Sequence, residues 1–165
     1  MRITLFGMSQ PSAEEYDLAY EVGKKIGGKG YILKNGAYGG TMEASAKGCQ
    51  EAGGFVVGVG VEGHTVDKMG RPNDFNNEVI VKPTRFERIQ EMIDTDLIVV
   101  LAGQIGTLEE MFAAWVEAIK TDNKPLIVLG AKMIKLVEFL QEFEYIKEHQ
   151  FEYIKKVKHL DDLTF

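Results

Sequence analysis

The chain has 165 residues, of which 45% are hydrophobic and 27% charged, a composition typical of one soluble globular domain. Its formal net charge of −6 argues against a nucleic-acid polymer as partner, because a duplex needs a basic protein face. The single cysteine excludes an internal disulfide, and no apolar stretch approaches the roughly 20 residues of a membrane span. We therefore expect one cytoplasmic domain over 1–165, without a metal site or membrane contact, that can still bind a small anion such as a mononucleotide.

Short apolar, β-branched runs alternate with helical patterns along the chain. The predicted strands are 2–6, 31–34, 55–60, 78–82, 97–103 and 125–130. The predicted helices are 12–27, 41–53, 84–94, 107–120 and 132–147. This alternation predicts an α/β fold with a doubly wound, mainly parallel sheet flanked by helices. Ligands of such sheets bind beyond the carboxyl ends of the strands, where the strand order reverses.

Three segments carry further signals. In the predicted helix 107–120, apolar residues recur at the spacing of one buried stripe that includes Phe112 and Trp115. The polar segment 61–77 has a length typical of a lid, a binding wall or a disordered loop. The tail after 148 keeps periodic apolar residues and is expected to pack against the domain or a second subunit. The apolar surface around Phe112, Trp115 and the aromatic C-terminal segment exceeds what one sheet face can cover. We therefore expect a homodimer.

Two glycine-rich stretches each lead from a strand into a helix. They are "NGAYGGTMEASAKG" (35–48) and "LAGQIGTLEE" (101–110). Glycine lets the backbone approach a ligand closely, and the free N–H groups and dipole of the helix start favour an anion. Two such loops at one sheet edge predict a phosphate-and-sugar site. Its predicted ligands are Gly39, Gly40 and Thr41 on one side, and Gly103, Gln104, Gly106 and Thr107 on the other.

A purely structural explanation also exists for the second stretch. Thr107 and Glu110 have the T-x-x-E spacing of a helix capping box, which would account for both residues. Arg88 has the spacing to pair with Glu87 or Glu91 on an exposed helix face, a pair that contributes roughly 0.3 kcal/mol. The residues alone leave both explanations open.

The stretches "GAYGGTMEASAKG", "FERIQEM" and "LAGQIGTLEEMFAAW" followed by "KPLIVLG" resemble the LONELY GUY (LOG) family over most of the chain. The family signature is P-G-G-x-G-T-x-x-E, with an Arg-Lys pair on the preceding helix. Glu110 and Arg88 match its acidic and arginine positions, and Gly103, Gly106 and Thr107 match the loop. The resemblance implies a Rossmann-like, dimeric enzyme without a cofactor that hydrolyses nucleoside 5′-monophosphates to free base and ribose 5-phosphate. Arg88 and Glu110 would be its catalytic pair.

The family was once labelled as possible lysine decarboxylases, but nothing in this sequence resembles a pyridoxal-phosphate site. The sequence departs from the signature at three positions: Ala102 replaces the proline, Gln104 the second glycine, and Ile89 the lysine. The Gln104 side chain is expected either to hydrogen-bond the phosphate or to obstruct it. Two other functions stay open: a carrier of a nucleotide or of the molybdenum cofactor, since relatives with this fold include such a carrier, and a scaffold whose pocket has decayed.

Overall fold

The computed structural model describes residues 1–63, 71–122 and 126–165. Its strands are β1 (Arg2–Phe6), β2 (Ile32–Asn35), β3 (Phe55–Val61), β4 (Glu78–Lys82), β5 (Leu97–Val100), β6 (Leu126–Leu129) and β7 (Ile154–Val157). Its helices are α1 (Ala13–Gly28), α2 (Thr41–Glu51), α3 (Arg85–Ile93), α4 (Ile105–Thr121) and α5 (Ala131–Glu142), with short 3-10 helices at Glu148–Tyr153 and Leu160–Asp162. In the part of the chain described, no helix is both long and apolar enough to cross a membrane.

The strands form one parallel sheet of seven in the order β4-β3-β2-β1-β5-β6-β7. From β1 the chain builds the sheet outward to β4, then returns to the other side of β1 with β5 and continues to β7. The strand order therefore reverses between β1 and β5. This arrangement confirms the predicted α/β fold with its doubly wound parallel sheet.

The C-terminal part differs from the prediction. The predicted helix 132–147 ends early, because α5 stops at Glu142 and Glu144 adopts a left-handed conformation with φ 55°. An unpredicted strand, β7, then pairs with β6. Its sequence "IKKV" buries both ends and exposes two central lysines. Such a pattern on a sheet edge is too short and too polar to indicate a strand from periodicity.

The aromatic face of α4 is covered by the chain itself. Trp115 is 2% exposed, donates through Nε1 to the carbonyl of Gln150 at 2.8 Å, and meets the Phe151 ring edge-on. The ring of Trp115 is therefore buried within the domain, whereas Phe112 is partly buried, and the expected homodimer stays a prediction. The exposed apolar side chains of α3 and α4 are instead Phe86, Ile105 and Val116.

Candidate active site

A pocket of about 290 Å³ lies at the carboxyl ends of β1, β2, β3 and β5. This is the reversal point of the sheet, where ligands of such folds are expected to bind. The pocket is lined by Leu5, Gly7, Met8, Ser9, Gly36, Tyr38, Met42, Val61, Arg85, Arg88, Met92, Gln104, Gly106, Thr107 and Glu110. A larger cavity of about 440 Å³ lies between α3 and α4 near the start of β5, and none of the predicted site residues lines it.

An ion pair crosses the floor of this pocket from α3 to α4. Arg88 Nη1 donates to Glu110 Oε1 at 2.9 Å, and both side chains are only 12% exposed. The same guanidinium donates through Nε to the Val59 carbonyl at 2.8 Å and through Nη2 to the Gly36 carbonyl at 3.4 Å. Arg88 thus joins two helices to the ends of β2 and β3, which fixes the position of the Glu110 carboxylate.

Both structural explanations for these residues are wrong. Helix α4 begins at Ile105 with Gln104 as its N-cap, so Thr107 already lies inside the first turn and cannot form the capping box with Glu110. Nor does Arg88 pair on its own helix. Glu87 instead caps α3, and the neighbouring Glu91 accepts from Lys34 and Lys82.

Burial raises the pKa of the Glu110 carboxyl, and the neighbouring Arg88 opposes this rise. The carboxylate is held by one guanidinium in a largely dry position, where charge interactions are stronger than in water. A positive charge that develops next to Glu110 inside the pocket would therefore be stabilised. This arrangement suits a reaction with a cationic transition state.

Two threonines tie the glycine loops to the loop that follows β1. Thr107 Oγ1 donates to the Gly7 carbonyl at 2.6 Å, and Thr41 Oγ1 donates to the Met8 carbonyl at 3.0 Å. The Thr41 backbone N–H also donates to the same Met8 carbonyl, at 2.9 Å. A side chain at Gly103 would overlap the Thr107 side chain. These tethers hold three loops together around the pocket.

The start of α4 offers free donors to the pocket. The first intrahelical bond runs from Leu108 N to the Gln104 carbonyl at 3.0 Å, and Gln104 makes no side-chain cap. The N–H groups of Ile105, Gly106 and Thr107 therefore precede the hydrogen-bonded part of the helix and are directed along its axis. Gly106 lines the pocket, and a side chain there would meet nothing within 4 Å, so the space beside this residue is open. Helix starts of this kind bind anions.

The loop after β2 is held in a strained conformation. Ala37 has a φ of 73°, a left-handed value that costs a non-glycine residue roughly 1–2 kcal/mol. Its carbonyl accepts from Asn73 N and Nδ2, each at 2.8 Å, and from Asn76 Nδ2 at 3.0 Å, while Asn35 Oδ1 accepts from the Ala37 N–H at 2.9 Å. These bonds fix the loop so that the carbonyl of Gly36 accepts from the guanidinium of Arg88.

Part of the predicted site converges in this pocket, which Arg88, Gln104, Gly106, Thr107 and Glu110 line together. The other four predicted residues do not line it: Gly39, Gly40, Thr41 and Gly103. Thr41 instead faces an adjacent cavity of about 260 Å³. Direct ligand contact by these four stays a prediction.

Ten lining residues were not among the predicted site residues, and they include the polar ones Ser9, Tyr38 and Arg85 and the rest of the loop Gly7–Ser9. The position of Gly7, directly after the first predicted strand, would have indicated the loop, because the carboxyl end of a central strand is where ligands bind. No comparable signal marks Arg85, since its place in the pocket depends on how α3 packs beside α4.

Comparison with known proteins agrees with this picture. The model of the SLOG cluster4 family matches residues 1–160. A protein of Archaeoglobus fulgidus is 31% identical over 141 residues, covering 84% of this chain and 90% of that protein. The cytokinin riboside 5′-monophosphate phosphoribohydrolase of Mycobacterium tuberculosis is 37% identical over 124 residues, which cover 73% of this chain and 65% of that enzyme. The match therefore spans less than two thirds of that longer relative.

Among solved structures, the molybdenum cofactor binding protein of Rippkaea orientalis superposes with a TM-score of 0.70 at 22% identity, covering 87% of this chain and 84% of that one. At this identity the likeness concerns the fold alone. The family match is more specific, since it extends over residues 1–160 and thus over the whole candidate site. The chain therefore belongs to the LOG-like SLOG cluster4 family.

Proposed function

We propose that the protein hydrolyses the N-glycosidic bond of a nucleoside 5′-monophosphate and releases free base and ribose 5-phosphate. The observation that carries this proposal is the buried carboxylate of Glu110, held by Arg88 beside the free helix start of α4. A phosphate site and a fixed carboxylate in one pocket fit the two ends of a ribose 5-phosphate unit. The name of the Mycobacterium tuberculosis relative supports the same reaction class.

The reaction breaks the bond between C1′ and the base nitrogen and forms a bond from C1′ to a water oxygen. The base leaves with the bonding electrons and takes up a proton that the water releases. The sugar passes through an oxocarbenium-like state, which a carboxylate next to the ring stabilises. In this scheme Glu110 stabilises that charge and orients the water, and Arg88 holds Glu110 in place.

The phosphate would accept hydrogen bonds from the N–H groups at the start of α4, with the Gln104 side chain beside it. Gln104 lines the pocket without capping its own helix, so its amide is available to donate to a phosphate oxygen. The apolar wall of Met42, Val61 and Met92 gives a planar base a surface to pack on. This scheme uses no cofactor and no metal ion.

A product assay across a panel of nucleoside 5′-monophosphates tests the proposal, with ribose 5-phosphate and free base as the readouts. The matched nucleosides serve as controls. Because charge-assisted hydrogen bonds contribute roughly 1.5–3 kcal/mol each, AMP should bind at least about tenfold more tightly than adenosine. Equal affinities would contradict the proposed phosphate site.

Thermal denaturation with each nucleotide and with the molybdenum cofactor, run beside the product assay, separates the alternatives. A carrier of a nucleotide or of the molybdenum cofactor would gain thermal stability with its ligand but release no ribose 5-phosphate. A decayed scaffold would show neither. The proposed substrate is a cytoplasmic metabolite, and we propose that the protein acts there as a homodimer.

A further inference from the structure

Two ion pairs, one deep and one shallow, connect α3 with α4. The deep pair is Arg88–Glu110, with both side chains 12% exposed. The shallow pair is Arg85–Glu109, with side chains 53% and 33% exposed. Arg85 and Arg88 are three residues apart and therefore project from neighbouring positions on the same side of α3. The pocket thus has one cation at its floor and another at its rim.

The two arginines differ in how firmly they are engaged. Arg88 donates to a carboxylate and to two backbone carbonyls, all in buried surroundings. Arg85 lines the same pocket, but its partner Glu109 does not. Of the two arginines that line the pocket in the described part of the chain, Arg85 is therefore the one in the more solvent-accessible ion pair, although the Glu109 oxygen that it meets is itself buried. A partly exposed pair of this kind is held less firmly than the buried Arg88–Glu110 pair, so an anion of higher charge in the pocket would compete with Glu109 for the guanidinium.

Arg85 also lies close to the free donors of α4. Glu109 is in the second turn of that helix, and the N–H groups of Ile105 to Thr107 are in the first, about 3–6 Å away along the axis at 1.5 Å per residue. A guanidinium that reaches Glu109 and also lines the pocket needs only to turn inward to approach an anion on these donors. Its planar fork suits two oxygens of one phosphate.

We infer that Arg85 is a phosphate-recognition residue and that Glu109 is its partner in the empty state, competing with the phosphate of the substrate for the guanidinium. The inference rests on the proposed function, because it assigns a ligand to the phosphate end of the same substrate. It implies opposite effects for the two members of one ion pair. Removing the cation weakens binding, whereas removing the carboxylate strengthens it.

Calorimetric titration with AMP tests this inference on the full chain. We expect Arg85→Gln to weaken AMP binding about tenfold while leaving adenosine binding unchanged. Glu109→Gln should tighten AMP binding about two- to fivefold, because the competing carboxylate is gone. The double variant should bind AMP like Arg85→Gln alone. Matched controls are Lys156→Gln and Glu138→Gln, which break an exposed ion pair away from the pocket and should not alter AMP affinity.

If the shallow pair only bridges two helices, both single variants will change stability alike and neither will change AMP affinity. That result would overturn the role of Arg85. Binding of AMP and of ribose 5-phosphate without release of product would instead overturn the proposed hydrolysis, while the AMP affinities of the variants would still decide the role of Arg85. A parent protein that binds neither compound would overturn both.

Discussion

Arg88 and Glu110 lie 22 positions apart on different helices, and their side chains meet at 2.9 Å within the pocket. The contact gives Glu110 a role that a helix cap does not have, because a cap uses the carboxylate only as a hydrogen-bond acceptor. In the proposed reaction the negative charge itself would act on the substrate. Variants that keep shape and change charge therefore test the site most directly.

Glu110→Gln should preserve the fold and AMP binding but reduce ribose 5-phosphate release by about 10²-fold or more. The amide can still accept a hydrogen bond from Arg88, but it carries no charge to stabilise an oxocarbenium-like state. Steady-state assays with AMP, alongside calorimetric binding and circular dichroism, measure the three quantities. Glu138→Gln, at an exposed ion pair elsewhere, is the matched control. Undiminished turnover in Glu110→Gln would show that the reaction does not need the negative charge of Glu110.

Arg88→Lys should lower both stability and activity. Lysine keeps the charge but cannot reach three separate acceptors with a planar fork, so the carbonyls of Val59 and Gly36 lose a buried donor. We expect the free energy of unfolding to fall by about 1–3 kcal/mol, well above the effect of an exposed helix pair. Urea denaturation measures this change. A fall below about 0.5 kcal/mol would show that the three contacts contribute no more than a surface pair.

Gly36→Ala should displace Arg88 without replacing a charged residue. A methyl group at this position would overlap Arg88 Nη2 and Met42 Sδ. The guanidinium must shift, and kcat should fall together with the alignment of Glu110. Gly28→Ala is the matched control, since a side chain there meets nothing within 4 Å. Equal activity of both variants would mean that the exact position of Arg88 does not limit the reaction.

The raised pKa of Glu110 predicts a pH-dependent difference between the parent and Glu110→Gln. Below the ordinary glutamate pKa of about 4.3, the carboxyl is protonated in the folded and unfolded states alike. As the pH rises toward and through the raised folded pKa, the folded state must give up a proton that the unfolded state has already lost, so the parent loses stability relative to the variant. Urea denaturation of both proteins from pH 4 upward measures this divergence. A constant difference would contradict the burial effect.

The protein should be a homodimer in solution. The exposed apolar side chains Phe86, Ile105 and Val116 lie on α3 and α4, and burying them against a second copy would remove this surface from water. Light scattering should give twice the chain mass of 18.4 kDa. Val116→Asp should shift the protein toward monomer, whereas Phe143→Asp, an exposed aromatic residue at the end of α5, should not. A mass of one chain at micromolar concentration would rule out the dimer.

The sheet and its reversal point could be predicted because buried parallel strands have an unmistakable pattern. "LIVVL" lacks polar alternation, as does "PLIVLG", and glycine loops follow at the expected edge. The edge strand β7 could not be predicted, because its two lysines face solvent beside only two buried residues. The end of α5 was missed for a related reason: its periodic apolar pattern continues past Glu142 into a segment that is not helical.

The candidate site was predictable in its motif residues but not in its supporting contacts. Glycines, Arg88 and Glu110 stand out through the family resemblance. The hydrogen bonds from the side-chain amides of Asn73 and Asn76 to the Ala37 carbonyl do not stand out. They join residues 36 and 39 positions apart, and their acceptor is a backbone atom. The rim position of Arg85 likewise depends on helix packing. Side chains that bind a carbonyl of a distant loop leave no periodic trace in a sequence.

The threonine tethers to the β1 loop have a consequence for how the pocket forms during folding. Thr107 bonds to Gly7 across 100 positions and Thr41 bonds to Met8 across 33. Contacts of such long range form slowly, after loop closure has been completed for the strands that carry them. The N-terminal half of a nascent chain can bring Thr41 to Met8, but the start of α4 joins it only after β5 has inserted beside β1. Ligand-binding competence should therefore appear late in refolding, together with the completed sheet rather than with its first half.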